Sequence, residues 1–158
     1  MPRLIRMKQI NVFVSYAHRD HRLVQAMMRD LRDHLRCCVT HKFDVWQDTR
    51  ILCGTGWDAA IQRALRRADV GLLLVSPAFR CSEYITTQEL PALLAKKCLA
   101  VGVKPVCFKT QLDPALAAMQ FHRHQTPAGK PLCWSECATP QQKDAFVMEL
   151  YQQMLGRL

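Results

Sequence analysis

Short, nearly unbroken apolar runs alternate along the chain with stretches whose apolar residues recur at helical spacing. Ile10-Asn11-Val12-Phe13-Val14-Ser15 is brief and β-branched, the pattern of a strand buried on both faces of a parallel sheet. Asp20–Arg36 then reads as a helix, with Val24, Met28, Leu31 and Leu35 on one stripe and Asp20 as its N-cap. Phe43–Gln47 is the second strand, and Asp48–Gly56 a glycine-bearing loop with Ile51 and Leu52 at its tip. Thr55, with Asp58 three residues on, caps the next helix, whose stripe is Trp57, Ile61, Ala64, Leu65 and Ala68. Val70–Val75 is the third strand.

The following helix spans about Tyr84–Lys97 and contains Pro91, which an uninterrupted α-helix tolerates poorly. The helix therefore either kinks there or begins close to Thr87. In the second case Glu89 lies in the first turn, where the helix dipole favours an ionised carboxylate. Val101–Phe108 reads as a fourth strand, at or near an edge because of Pro105. Leu112–Pro127 is less regular, with a short helix at Ala115–Met119. Pro131–Trp134 suggests a brief edge strand. Thr139, Pro140 and Gln142 open a last helix whose buried face is Val147, Leu150, Tyr151 and Met154.

This alternation predicts one α/β domain over residues 1–158: a central, mostly parallel five-stranded sheet with helices on both faces, in a flavodoxin-like order. A magnesium-dependent phospho-receiver is excluded, because the first and third strands end in Ser15-Tyr16 and Ser76-Pro77 rather than in acids. The glycines form no phosphate loop. The net charge of +9 comes from basic residues scattered along the chain, without the aromatic–basic interleaving of a nucleic-acid module, so nucleic acid is not expected to be bound directly. The eight cysteines lack metal spacing beyond a single CxxxC at Cys133–Cys137, so no metal is expected and reduced thiols are the default. No apolar run is long enough to span a bilayer and the N-terminus has no signal-peptide core, which predicts a cytoplasmic protein without membrane attachment.

The chemistry concentrates in Ser76–Leu90. Glu89 follows the third strand, and a carboxylate just past the C-terminal end of a buried parallel strand sits where open α/β sheets bind ligands. On position alone, an ordinary helix-surface glutamate is the competing reading.

Several motifs recur in a familiar order: Phe13–Asp20; Val45–Asp48 followed by Ile51, Gly54 and Trp57; Ala68-Asp69 with Leu72–Ser76; Phe79, Ser82, Tyr84 and Glu89-Leu90-Pro91; and Gly129–Leu132. Together they resemble a Toll/interleukin-1 receptor (TIR) domain of the bacterial type. The resemblance implies an enzyme that cleaves NAD+, as a glycohydrolase or cyclase releasing nicotinamide, in bacterial immune or anti-phage signalling. NAD+ is then the substrate, and no cofactor is implied. Glu89 matches the catalytic glutamate. Ser15, Tyr16 and Ala17 would line the pocket floor, His18 and Arg19 the first-box loop, Trp46 and Asp48 the mouth, and Tyr84 the nicotinamide wall. The family often has its aromatic four residues before the glutamate. That position is Ile85 here, and Tyr84, one residue earlier, would be rotated about 100° in an α-helix. Arg50, Ile51, Leu52, Gly54 and Trp57 match the BB loop through which such domains self-associate, and a sensor domain or partner protein would supply the trigger. The alternative is a non-enzymatic TIR–TIR scaffold, which has no need of Glu89, and a third reading is a basic domain acting beside nucleic acid as the effector of a larger complex, with binding that falls as salt rises.

Overall fold

In the computed structural model, which describes residues 6–47 and 56–158, five parallel strands carry the fold. They are β1 (Lys8–Ser15), β2 (His41–Gln47), β3 (Val70–Val75), β4 (Lys97–Gly102) and β5 (Phe121–His122), in the order β2-β1-β3-β4-β5. This is the doubly wound, flavodoxin-like order. The register sets Val12 beside Val70 and Ser15 beside Leu73, and β3, the central strand, is buried along its whole length.

Alternation along the strands divides the core in two. Ile10, Val12, Val14, Leu72, Leu74, Leu99 and Val101 face α1 (His21–Cys37) and the last helix. Phe13, Leu73, Val75 and Ala100 face α2 (Trp57–Arg67), α3 (Pro77–Cys81) and α4 (Leu90–Leu94). Gly71 permits the close seating of α4. A Cβ there would stand 2.9 Å from Leu93 Cδ2, so the missing side chain is what lets Leu93 reach the sheet.

The chain then passes through α5 (Phe108–Gln111) and α6 (Pro114–Ala117). A small antiparallel pair follows, β6 (His124–Gln125) with β7 (Pro131–Leu132), separate from the main sheet. The final helix, α7 (Pro140–Gly156), opens as predicted: Thr139 Oγ1 accepts from the Gln142 amide and the Gln142 side chain returns to the Thr139 amide. Its buried face is Phe146, Val147, Leu150 and Met154, while Tyr151 is half-buried against the core.

Four expectations are corrected. The fourth strand runs from Lys97 to Gly102, not Val101 to Phe108, and it is internal, because Ala100 and Val101 pair onward with β5. Pro105 follows this strand rather than marking an edge. The segment at Pro131–Trp134 pairs off the main sheet, with Trp134 in a 3-10 turn. Asp20 makes no N-cap bond: it is buried, accepts a hydrogen bond from Ser76 Oγ and stands 3.3 Å from Lys104 Nζ. Finally, Asp58 has a different partner from the expected cap, since α2 begins with Gly56 at its N-cap and no side-chain cap bond, and Thr55 lies outside the described residues.

Candidate active site

Glu89 reaches the sheet through an irregular helix. Residues 83–94 are helical throughout, but Ile85–Glu89 form a π turn in which the Leu90 amide donates to the Ile85 carbonyl. Pro91 supplies a physical reason. In a regular α-helix its ring would strike the Thr87 carbonyl and leave it without a donor, and a local widening is a usual accommodation. The expectation that the helix starts near Thr87 is thereby overturned: helical backbone precedes Glu89, which lies at the end of the π turn, and the first-turn dipole argument does not apply.

The same widening changes the register of the aromatic. In an α-helix, residues five apart point about 140° away from each other. In a turn closed between residues five apart they return to nearly the same face. The π turn thus brings Tyr84 back toward Glu89 and offsets the one-residue displacement noted in the sequence. Tyr84 is held in place: its hydroxyl donates to Asp58 Oδ1 at 2.5 Å, and its ring lies 5.1 Å from that of Trp57. Burial, the bond to Asp58 and the negative charges of Asp58 and Glu89 together push the phenol up to about 12. Asp58, read from the sequence as a cap, is the residue that pattern analysis missed here. Its signal was ambiguous, since an acid in a first helical turn serves either purpose.

Glu89 itself is fully buried, 0% exposed, as is Ser15 at the end of β1. Ser15 Oγ donates to Glu89 Oε2 at 3.4 Å. Ala17 lies on this side of the sheet, in the cluster with Phe79 and Ile85. Trp46 is also on this side, half-buried and stacked on Phe13 with ring centroids 4.9 Å apart. Tyr16 is on the other: it packs in the core with Val24 and Met28, its ring 5.9 Å from His18 and 6.4 Å from His21. His18 is half-buried and Arg19 exposed. Trp57, assigned with the self-association loop, is the first residue of α2 and packs on Tyr84. Asp48, Arg50, Ile51, Leu52 and Gly54 lie outside the described residues.

The loop between Ser15 and Asp20 is clamped at both ends. Ser15 meets Glu89, while Asp20 meets Ser76 and Lys104. Ser76 Oγ also accepts from the Phe79 amide at 3.0 Å, capping α3. These contacts bind the C-terminal ends of β1, β3 and β4 together at the point where the strand order reverses, the usual ligand crevice of such sheets. Lys104 carried no sequence signal, because it belongs to no local motif, and the signals at Asp20, a helix cap and the end of the first motif, did not foretell its contacts with Ser76 and Lys104. Among the described residues, no group of three or more His, Cys, Asp or Glu is arranged to hold a metal ion, and no helix is long and apolar enough to cross a membrane.

Compared with family models, residues 12–130 match the one described as TIR domain. Comparison with curated proteins finds no match.

Proposed function

Since the chain belongs to the TIR domain family, we propose that it is an NAD+-cleaving member of the bacterial type. The observation that carries this reading is a buried carboxylate, Glu89, beside the C-terminal end of β1 and hydrogen-bonded to Ser15. The bond to break joins the nicotinamide nitrogen to ribose C1′. Nicotinamide departs as a neutral molecule, taking the bonding electron pair to cancel its ring charge, so no general acid is required. Positive charge grows on the ribose as an oxocarbenium ion, and one fixed carboxylate beside C1′ stabilises it. Water, or a nucleophile within the ADP-ribose, then completes a linear or a cyclic product.

Ser15 holds the carboxylate in orientation, Tyr84 walls the nicotinamide end, and Ala17 with the first-box residues His18 and Arg19 borders the ribose and phosphates. Glu89 has no accessible surface in this conformation. Substrate reaches it only after a rearrangement, which suits activation by self-association or by a partner carrying the sensor. The protein acts in the cytoplasm as an effector of bacterial immune signalling.

The same complete burial favours a second reading, a TIR–TIR scaffold in which Glu89 only anchors the helix through Ser15. Nicotinamide release by concentrated wild-type domain, beside Glu89→Ala, separates the two.

A further inference from the structure

Basic residues that look scattered in the sequence gather in the fold along one exposed flank. Arg22, Arg29 and Arg36 recur every seven residues of α1, so they stand nearly in line over ~21 Å at ~1.5 Å per residue. Arg32 lies between the last two. The Arg29 and Arg36 side chains are 77% and 78% exposed. Two open concavities meet at Arg32 and Arg36. One, of about 480 Å³, extends toward Arg22 and Arg29. The other, of about 380 Å³, extends toward His41, Lys42 and Asp44 on β2, so one carboxylate lies among its basic residues.

The arginines are crowded against one another. Arg32 is bonded to the Gln47 side chain, and burial together with the nearby charge of Arg36 depresses its pKa. Like charges four residues apart on a helix are mutually destabilising. Nearby carboxylates offset this only in part: Asp30 stands 3.5 Å from Arg29, and exposed Asp33 only 4.0 Å from Arg36. A bound polyanion would relieve the crowding.

We infer that this flank of α1 and β2 binds the phosphate backbone of a nucleic-acid strand. The planar guanidinium forms paired hydrogen bonds to phosphate as it does to carboxylate, so the arginines suit an oxyanion, and the surroundings decide which. An acidic protein fits less well. Protein interfaces draw their energy from buried aromatic or aliphatic anchors, and among the described exposed large hydrophobics only Met7 lines either concavity. Contacts of this kind position a strand without reading its bases. The inference is independent of NAD+ cleavage.

The test is fluorescence anisotropy of a labelled DNA single strand and a labelled duplex, each roughly two helical turns long, titrated with the whole domain between roughly 50 and 200 mM salt. Four arginine contacts predict a log–log salt slope of about −3.6 on the duplex, at about −0.9 per neutralised phosphate. Each single Arg29→Gln or Arg36→Gln change should reduce that slope by about 1. Arg29→Glu/Arg36→Glu should bind at least about tenfold more weakly, while Lys97→Glu/Lys109→Glu, an equal charge change elsewhere, should bind like the wild type; circular dichroism confirms that both fold. The inference is overturned by an absence of saturable binding, by equal losses in the two double variants, or by wild-type affinity in Arg29→Glu/Arg36→Glu. Tighter binding of poly-glutamate than of DNA at the same salt would instead make the flank a protein-docking face.

Discussion

Ser15 Oγ donates to Glu89 Oε2 at 3.4 Å, joining the end of β1 to the π turn across 74 positions of sequence. The contact ties the candidate carboxylate to the most buried part of the sheet. Ser15→Ala leaves Glu89 Oε2 without this donor in a water-excluded position. It should lower stability by about 1 kcal/mol, the net contribution of a typical hydrogen bond, and lower nicotinamide release through kcat more than through KM. Urea unfolding and steady-state kinetics measure the two effects. Wild-type stability and rate together would show that the contact contributes nothing.

Gly71 and Leu93 set how closely α4 approaches β3. Gly71→Ala places a Cβ 2.9 Å from Leu93 Cδ2 and should cost about 1–3 kcal/mol through overpacking. Leu93→Ala alone leaves a cavity and should cost about 2–5 kcal/mol. The double variant should be more stable than the sum of the two losses implies, because the new methyl occupies space vacated by leucine. Strict additivity in urea unfolding would contradict the packing described.

Pro91 explains the π turn, and this is testable by deletion. Removing Thr87, an exposed residue, converts the wide turn to α-helical length. With Pro91 retained, the deletion should destabilise the domain by about 3 kcal/mol, because the proline ring again meets a carbonyl four residues earlier. Adding Pro91→Ala should recover most of that loss, as read by thermal unfolding. Failure of the second change to rescue the first would remove proline as the cause.

Three of the strands and both long helices were legible from pattern alone. Val12–Val14 and Val70–Val75 are apolar enough to be buried on both faces, and Thr139-Pro140 with Gln142 announces its own helix. Glu89 was legible from its place after β3. Its surroundings were not, because the Ser15, Asp20, Ser76 and Lys104 contacts join residues far apart in sequence and depend on strand order. Pro91 signalled an irregular helix but could not specify a π turn, and so the alignment of Tyr84 with Glu89 was invisible. The fourth strand was misplaced because Pro105 was read as part of it, while Lys97, a charged residue at the rim of the sheet, concealed its true start.

His122 gives the fold a sign for its acid sensitivity. The imidazole is buried, its Nε2–H donates to the Phe146 carbonyl, and its Nδ1 accepts from Gln153. Burial holds its pKa below the ordinary value, against smaller opposing effects of the Phe146 carbonyl and Glu149. A base whose pKa is lowered on folding binds more protons when unfolded. Stability contributed by His122 is therefore present above about pH 6.5 and lost as pH falls below it, by up to about 1.4 kcal/mol per pH unit. Urea midpoints at pH 7.5 and 5.5, the chosen test conditions at roughly one unit either side of that value, should differ in the wild type and converge in His122→Gln. A wild-type midpoint that does not fall on acidification would contradict this assignment.

The central claim is that Glu89 is the carboxylate that cleaves NAD+, and its most direct test is product analysis at high protein concentration. Wild type and Glu89→Gln, which keeps the shape of the buried side chain, are incubated with NAD+ and a crowding agent, and the products are separated by chromatography. The account predicts nicotinamide with linear or cyclic ADP-ribose from the wild type, and a rate at least about 100-fold lower from the folded variant, the loss of about 2.7 kcal/mol of transition-state stabilisation. Equal nicotinamide release by the two proteins would remove Glu89 from the chemistry, and no release by either under crowding would contradict cleavage driven by self-association, leaving a scaffold or an enzyme that needs its partner.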